Sequence, residues 1–101
     1  MNEISFKCED SLWQMLADGS KTFDMRRYDS TDERITRLSW GRSQRVSQGR
    51  SIIHDRWEPE VQTVSFINKV TGKVLTFKYK GMEFISWAPG WCFLLLGEKV
   101  R

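Results

Sequence analysis

Histidine is nearly missing from this chain of 101 residues: His54 stands alone. A single imidazole leaves no multi-histidine metal site and argues against Ser-His-Asp and Cys-His relays, so His54 is read as a strand residue bonded locally. Asp55 and Glu58 beside it sit where acids usually cap a turn, and no metal or cofactor is expected. Cysteine is equally scarce. Cys8 and Cys92 lie far apart, with neither metal-ligand spacing nor a disulfide framework, and are expected to be reduced, half-buried thiols. No apolar run approaches the roughly 18 residues that cross a bilayer, and MNEISFKCED lacks the charged-then-apolar layout of a secretory signal. The expectation is therefore a cytoplasmic protein with no membrane partner. There is no phosphate-cradling glycine loop, no internal repeat and no low-complexity segment.

Lysine is absent between Arg26 and Arg56, where eight arginines gather: Arg26, Arg27, Arg34, Arg37, Arg42, Arg45, Arg50 and Arg56. A guanidinium offers a planar fork that meets phosphate or carboxylate bidentately and stacks on bases, which an ammonium does not do. The same stretch, from Tyr28 to Gly49, has only Ile35, Leu38 and Trp40 as sizeable apolar anchors and reads as a long Arg-rich loop at about 28–50.

Elsewhere the hydrophobic period assigns elements. Ile4 and Phe6 alternate with polar neighbours, which predicts a first strand. Leu12, Met15 and Leu16 then recur at helical spacing, with Asp10 or Ser11 available as N-cap and Gly19 at the left-handed C-terminal position. After Gly19 the period returns to two, so Phe23 and Met25 are expected in the core, with Asp24 and Arg26 on the other face. Ser51 to Trp57 reads as a strand ended by Glu58 and Pro59, and VQTVSFINKVTGKVLTFKYK as a hairpin turning at Thr71-Gly72. In its second half Leu75, Phe77 and Tyr79 share one face, and Thr76, Lys78 and Lys80 the other. GMEFISW reads as a helical turn and WCFLLLG as an apolar final strand. One domain, 1–101, is expected: a mostly β, α+β fold, a small barrel or strongly curved sheet with an N-terminal helix and one or two short helical segments.

GSKTFDMR carries a more specific signal. Gly19, Lys21, Asp24 and Arg26 match the G-x-K-x-x-[E/D]-x-R signature of the ASCH domain family, straight after the first helix. VSQGRSIIHDRW resembles that family's strand entry, with Arg50 where Asp is usual, and GWCFLLLG its closing strand. The resemblance implies a PUA-like β-barrel whose motif-lined cleft binds RNA, single-stranded nucleic acid or a modified nucleotide. On that picture Lys21, Asp24 and Arg26 line the pocket and Arg27, Arg42, Arg45 and Arg50 track phosphates. Lys78 and Lys80 extend the basic surface. Tyr28, Trp40 and Trp87 offer stacking faces, while at least two of Trp40, Trp57, Trp87 and Trp91 are expected in the core.

One family branch resembles an acetylcytidine amidohydrolase, and ribonuclease activity is a second reading. Lys21, Asp24 and Glu83 would then be catalytic, but Asp24 stands where that branch has threonine, and a carboxylate does not replace a hydroxyl in the same work. A third reading is a phage-type inhibitor that uses this surface on a protein partner.

Overall fold

Ile4, Phe6 and Cys8 alternate with Ser5 and Lys7, and this period of two makes β1 (Glu3–Cys8), with the first three buried. The computed structural model describes residues 3–48 and 52–100, those at 42–48 and 52–56 by backbone only. Helix α1 (Asp10–Ala17) buries Trp13 and Leu16, and the Trp13 indole N–H donates to the Phe66 carbonyl at 3.1 Å. Its N-cap is Glu9, not Asp10 or Ser11. Asp10 instead accepts from the Asn68 amide at 2.8 Å, a tertiary contact that pins the helix start and holds the Asp10 carboxyl below its ordinary range. Gly19, at φ 81°, ends the helix as expected.

The facing of β2 (Phe23–Arg27) is the reverse of the expected one. Asp24 is 1% exposed while Phe23 is 37% exposed. The cause is register: β2 pairs antiparallel with β7 (Trp91–Lys99), setting Asp24 opposite Leu94 and Arg26 opposite Cys92, both wholly buried. Phe23 and Met25 fall opposite Leu95 and Phe93 on the outer face. An ion pair, rather than apolar side chains, therefore points inward along this strand.

The expected loop after Tyr28 is largely ordered structure. Ile35 and Leu38, at i and i+3, are the buried face of α2 (Glu33–Leu38), and the Asp32 side chain caps it by accepting from the Arg34 backbone N–H at 3.0 Å. Then β3 (Gly41–Gln48) pairs with β4 (Ile52–Pro59) as a two-stranded antiparallel ribbon. β4 runs through Glu58 and Pro59 instead of stopping before them. β5 (Thr63–Asn68) and β6 (Val74–Phe84) form the expected hairpin, with Leu75, Phe77 and Tyr79 buried and Lys78 and Lys80 exposed. GMEF, read as part of a helical turn, is the end of β6: Gly81, at φ 132°, lies at a register shift and lets the strand continue.

The main sheet has the order β1-β5-β6-β7-β2, with β1 parallel to β5 and the other neighbours antiparallel. At roughly 4.8 Å per strand, β1 and β2 would stand about 19 Å apart if the sheet were flat. Yet the Arg26 guanidinium of β2 lies 4.2 Å from the Phe6 ring centroid of β1. The sheet is curled into a half-barrel whose two edges approach each other, with α1 and α2 contributing Trp13, Leu16, Ile35 and Leu38 to its core. This is a small, mostly β, α+β fold. Among the described residues no helix is long and apolar enough to cross a membrane.

Tyr79 ties α2 to the sheet: its buried hydroxyl donates to the Leu38 carbonyl at 2.7 Å, and burial raises the phenol above its ordinary pKa. Tyr79→Phe removes the donor and leaves that carbonyl without it in a dry site. The expected loss is about 1–3 kcal/mol, read as a lower urea midpoint at unchanged slope.

Candidate nucleic-acid interface

Where the half-barrel's edges meet, a seam cavity of about 360 Å³ opens. The end of β1 contributes Lys7 and Glu9, β2 contributes Asp24 to Arg27, the β5–β6 turn contributes Lys69, and β7 contributes Trp91. The parallel pairing of β1 with β5 is what brings Lys69 to this place, since the Lys69 N–H donates to the Cys8 carbonyl at 3.0 Å.

The motif's acid and arginine form a latch here. Arg26 Nε donates to Asp24 Oδ2 at 2.6 Å, and the guanidinium lies against Phe6. Arg34 lies against the same ring, 4.6 Å from its centroid. Asp32 grips the Arg34 fork through both carboxylate oxygens, at 3.2 and 2.9 Å, and Arg34 Nη1 donates to the Ser5 carbonyl on the open edge of β1. The hydrogen bonds from Arg34 hold the Asp32 carboxyl below its ordinary range. Two guanidinium groups on one buried ring thus join β2 and α2 to β1.

The seam has an excess of positive charge. Arg26 is matched by Asp24, and Lys69 by Glu9 at 3.2 Å. Lys7 and Arg27, both exposed, stand outside any ion pair among the described residues. Trp91, 39% exposed, adds an indole surface to the same cavity. By contrast, the hollow of about 570 Å³ between β1 and α2 balances Glu3 and Glu33 against Arg34 and Arg37. A third, of about 350 Å³, lies at the ribbon's root beside Trp57, Glu58 and Lys80.

The remaining residues singled out from the sequence are dispersed. Lys21 is half-buried, its Nζ 5.3 Å from the Phe23 ring centroid, and it does not line the seam. Glu83 is exposed and pairs with Phe93, in line with Met25 on the outer face. The sheet thus separates Lys21 and Glu83 from Asp24, and the three do not converge as a catalytic group. Tyr28 is half-buried, edge-on to Phe84 at 5.2 Å. Lys78 is engaged by Glu98 at 2.8 Å, and Lys80 borders the ribbon's root. Arg42 and Arg45 occupy β3 register positions opposite Glu58 and Asp55, and Arg50 lies outside the described residues.

Trp40, Trp57, Trp87 and Trp91 are all exposed, so the expectation that at least two are in the core is corrected; the buried indole is Trp13. Lys7 and Lys69 were not selected from the sequence. Nothing local marks the two lysines, whose meeting depends on strand pairing across some sixty residues. Among the described residues no three His, Cys, Asp or Glu side chains are grouped for a metal ion.

Cys8 and Cys92 are fully buried rather than half-buried, and both are free. Burial, then the nearby Asp24 charge, pushes both thiols up in pKa, and the Cys92 thiol donates to the Arg26 carbonyl at 3.4 Å. Neither is a nucleophile at neutral pH. A thiol reagent at pH 8 should label neither cysteine in the native protein and both in denaturant.

No family model, no curated protein and no solved structure matches this chain.

Proposed function

We propose that the chain is an ASCH-like, PUA-type module that binds RNA, single-stranded nucleic acid or a modified nucleotide at the seam of the half-barrel. The observation that carries the reading is the composition of one cavity: Lys7, Arg26, Arg27 and Lys69 surround it, and Trp91 lines it beside them. Cations that reach phosphate and an aromatic that accepts a base are the two parts of such a site. The β3–β4 ribbon, with Arg42 and Arg45 in β3, would extend the phosphate-binding surface. The Asp24–Arg26 pair has a mainly architectural part in this picture, holding β2 against β1 so that the cavity exists. The hydrolase reading has no comparable support, because Lys21 and Glu83 lie across the sheet from Asp24.

The test is fluorescence anisotropy with a labelled oligouridylate at 50 and 200 mM salt. Binding should weaken steeply with salt, because each neutralised phosphate releases counterions. Lys7→Ala with Arg27→Ala should weaken it further and flatten the salt dependence, while Lys21→Ala leaves it unchanged. Salt-independent binding, or equal loss in the double variant and in Lys21→Ala, contradicts the seam as the site.

A further inference from the structure

An antiparallel sheet with one face in water ordinarily alternates apolar inward and polar outward. On β2 and β7 the outer positions are apolar instead. Phe23 and Met25 lie there beside Leu95 and Phe93, while Asp24 and Arg26 take the inner positions. The Phe23 and Phe93 rings meet edge-on with centroids 4.9 Å apart, so the four residues form one patch across adjacent strands. Phe23 is exposed and the other three are half-buried. Both helices send their buried side chains to the opposite face of the sheet and leave this one uncovered. A contiguous apolar patch on an ordered sheet marks a contact surface.

Charge indicates what the patch meets. Lys21 stands at one corner, just ahead of Phe23, with its ammonium 5.3 Å from that ring's centroid. The ladder reaches toward it, since the Leu96 N–H donates to the Thr22 carbonyl at 3.1 Å. Glu83 of β6 stands at the opposite corner, in one row with Phe93 and Met25. Neither is in an ion pair among the described residues. By register Leu95 is midway between them: β7 is the middle strand of the three, and Leu95 is in the middle row. The next pair along, Arg27 and Trp91, belongs to the lining of the seam cavity. The patch therefore carries one cation and one anion at the two ends of a diagonal, a layout that complements itself rather than a polyanion.

We propose that this outer face docks on the same face of a second copy of the chain. A two-fold axis lying between the two sheets, through Leu95 and at right angles to the diagonal, exchanges the corners. Lys21 of each copy then meets Glu83 of the other, and Phe23, Met25, Phe93 and Leu95 are covered by their counterparts. Both copies use one self-complementary surface, so the contact closes as a dimer. The proposal goes beyond the seam reading and stands independently of it.

The test is sedimentation velocity over a concentration series of the parent, Lys21→Glu, Glu83→Lys and the chain carrying both exchanges. Circular dichroism checks that each is folded. The parent should pass from monomer to dimer as concentration rises. Each single reversal sets like charges against each other at both corners and should weaken the dimer by about tenfold or more. The doubly exchanged chain should recover it. One single variant has acids at both corners and the other has bases, so an equimolar mixture should form the mixed dimer at a concentration where neither dimerises alone. A parent that stays monomeric to millimolar concentration overturns the proposal. A dimer indifferent to both reversals, or a mixture with no preference for the mixed pair, overturns it too. Capture of a different protein or of anionic vesicles by a parent that remains monomeric overturns the second copy as the occupant.

Discussion

Arg26→Ala is expected to destabilise the protein by about 3–5 kcal/mol, the cost of leaving one member of a buried ion pair alone. For a domain of this size that lowers the melting temperature by at least about 12 °C. The asymmetry with its partner is the more informative part. Asp24 is 1% exposed and loses its one charged partner once the guanidinium is gone. Arg26, a quarter exposed, turns outward when Asp24 is removed, so Asp24→Ala should lose only about 2 kcal/mol, typical of a hydrogen bond to a charged group. Arg26→Ala also gives up the contact with Phe6. Replacing both, with Leu at 24 and Met at 26, should recover much of the stability because no charge is left buried. Thermal melts of the three variants check the order. Equal effects of the two single changes would show that burial does not set the balance here. Because Arg26 holds the edges of the half-barrel together, Lys7 and Arg27 are the better probes of binding.

Gly41→Ala should release the β3–β4 ribbon at a cost of about 3 kcal/mol, the upper end of ordinary overpacking. A Cβ at position 41 would run into the Trp57 indole and come within 2.5 Å of the Glu58 carbonyl oxygen. A side chain can swing aside, but a backbone carbonyl in a paired strand moves only by breaking the register that sets Gly41 opposite Pro59. The other side of the same indole rests on Gly81, where an added Cβ would lie 2.8 Å from Trp57 Cζ3 and φ is already 132°. Trp57 is thus cradled between two glycines, one on the ribbon and one at the bulge of β6. Hydrogen exchange is the readout: amides of 41–48 should lose protection in Gly41→Ala while those of β5 keep theirs. Adding Trp57→Ala should rescue Gly81→Ala in part and Gly41→Ala hardly at all.

Local patterning made much of the fold legible. The alternation in β1 and β6, the helical spacing of Leu12, Met15 and Leu16, and the glycine stop at Gly19 all describe the elements that form. Even α2 was signalled, by Ile35 and Leu38 three apart behind Asp32, although the surrounding arginines masked it as loop. The reversed facing of β2 was not legible. Alternation alone sends Phe23 and Met25 inward, and it took the register against Leu94 and Cys92 to place an ion pair there instead. The G-x-K-x-x-D-x-R motif has a structural part that its spacing does not reveal: Asp24 and Arg26 close the half-barrel, and Lys21 lies on the other side of the strand. Of the seam's two cations outside an ion pair, Arg27 stands out in the sequence with the arginine-rich stretch, whereas Lys7 has nothing distinctive in its neighbourhood and joins the cavity only when β1 and β2 curl together. Composition favoured a core for some of the four tryptophans that stand in water; it carries no information on which end of a sheet is left uncovered.

Photocrosslinking tests the central claim most directly. A single-stranded RNA carrying 4-thiouridine, irradiated with the protein and mapped by peptide mass, should attach within Lys7 to Leu12, Asp24 to Arg27 and at Trp91, the walls of one cavity. Attachment confined to the outer face, around Lys21, Phe23, Glu83 and Phe93, would contradict it.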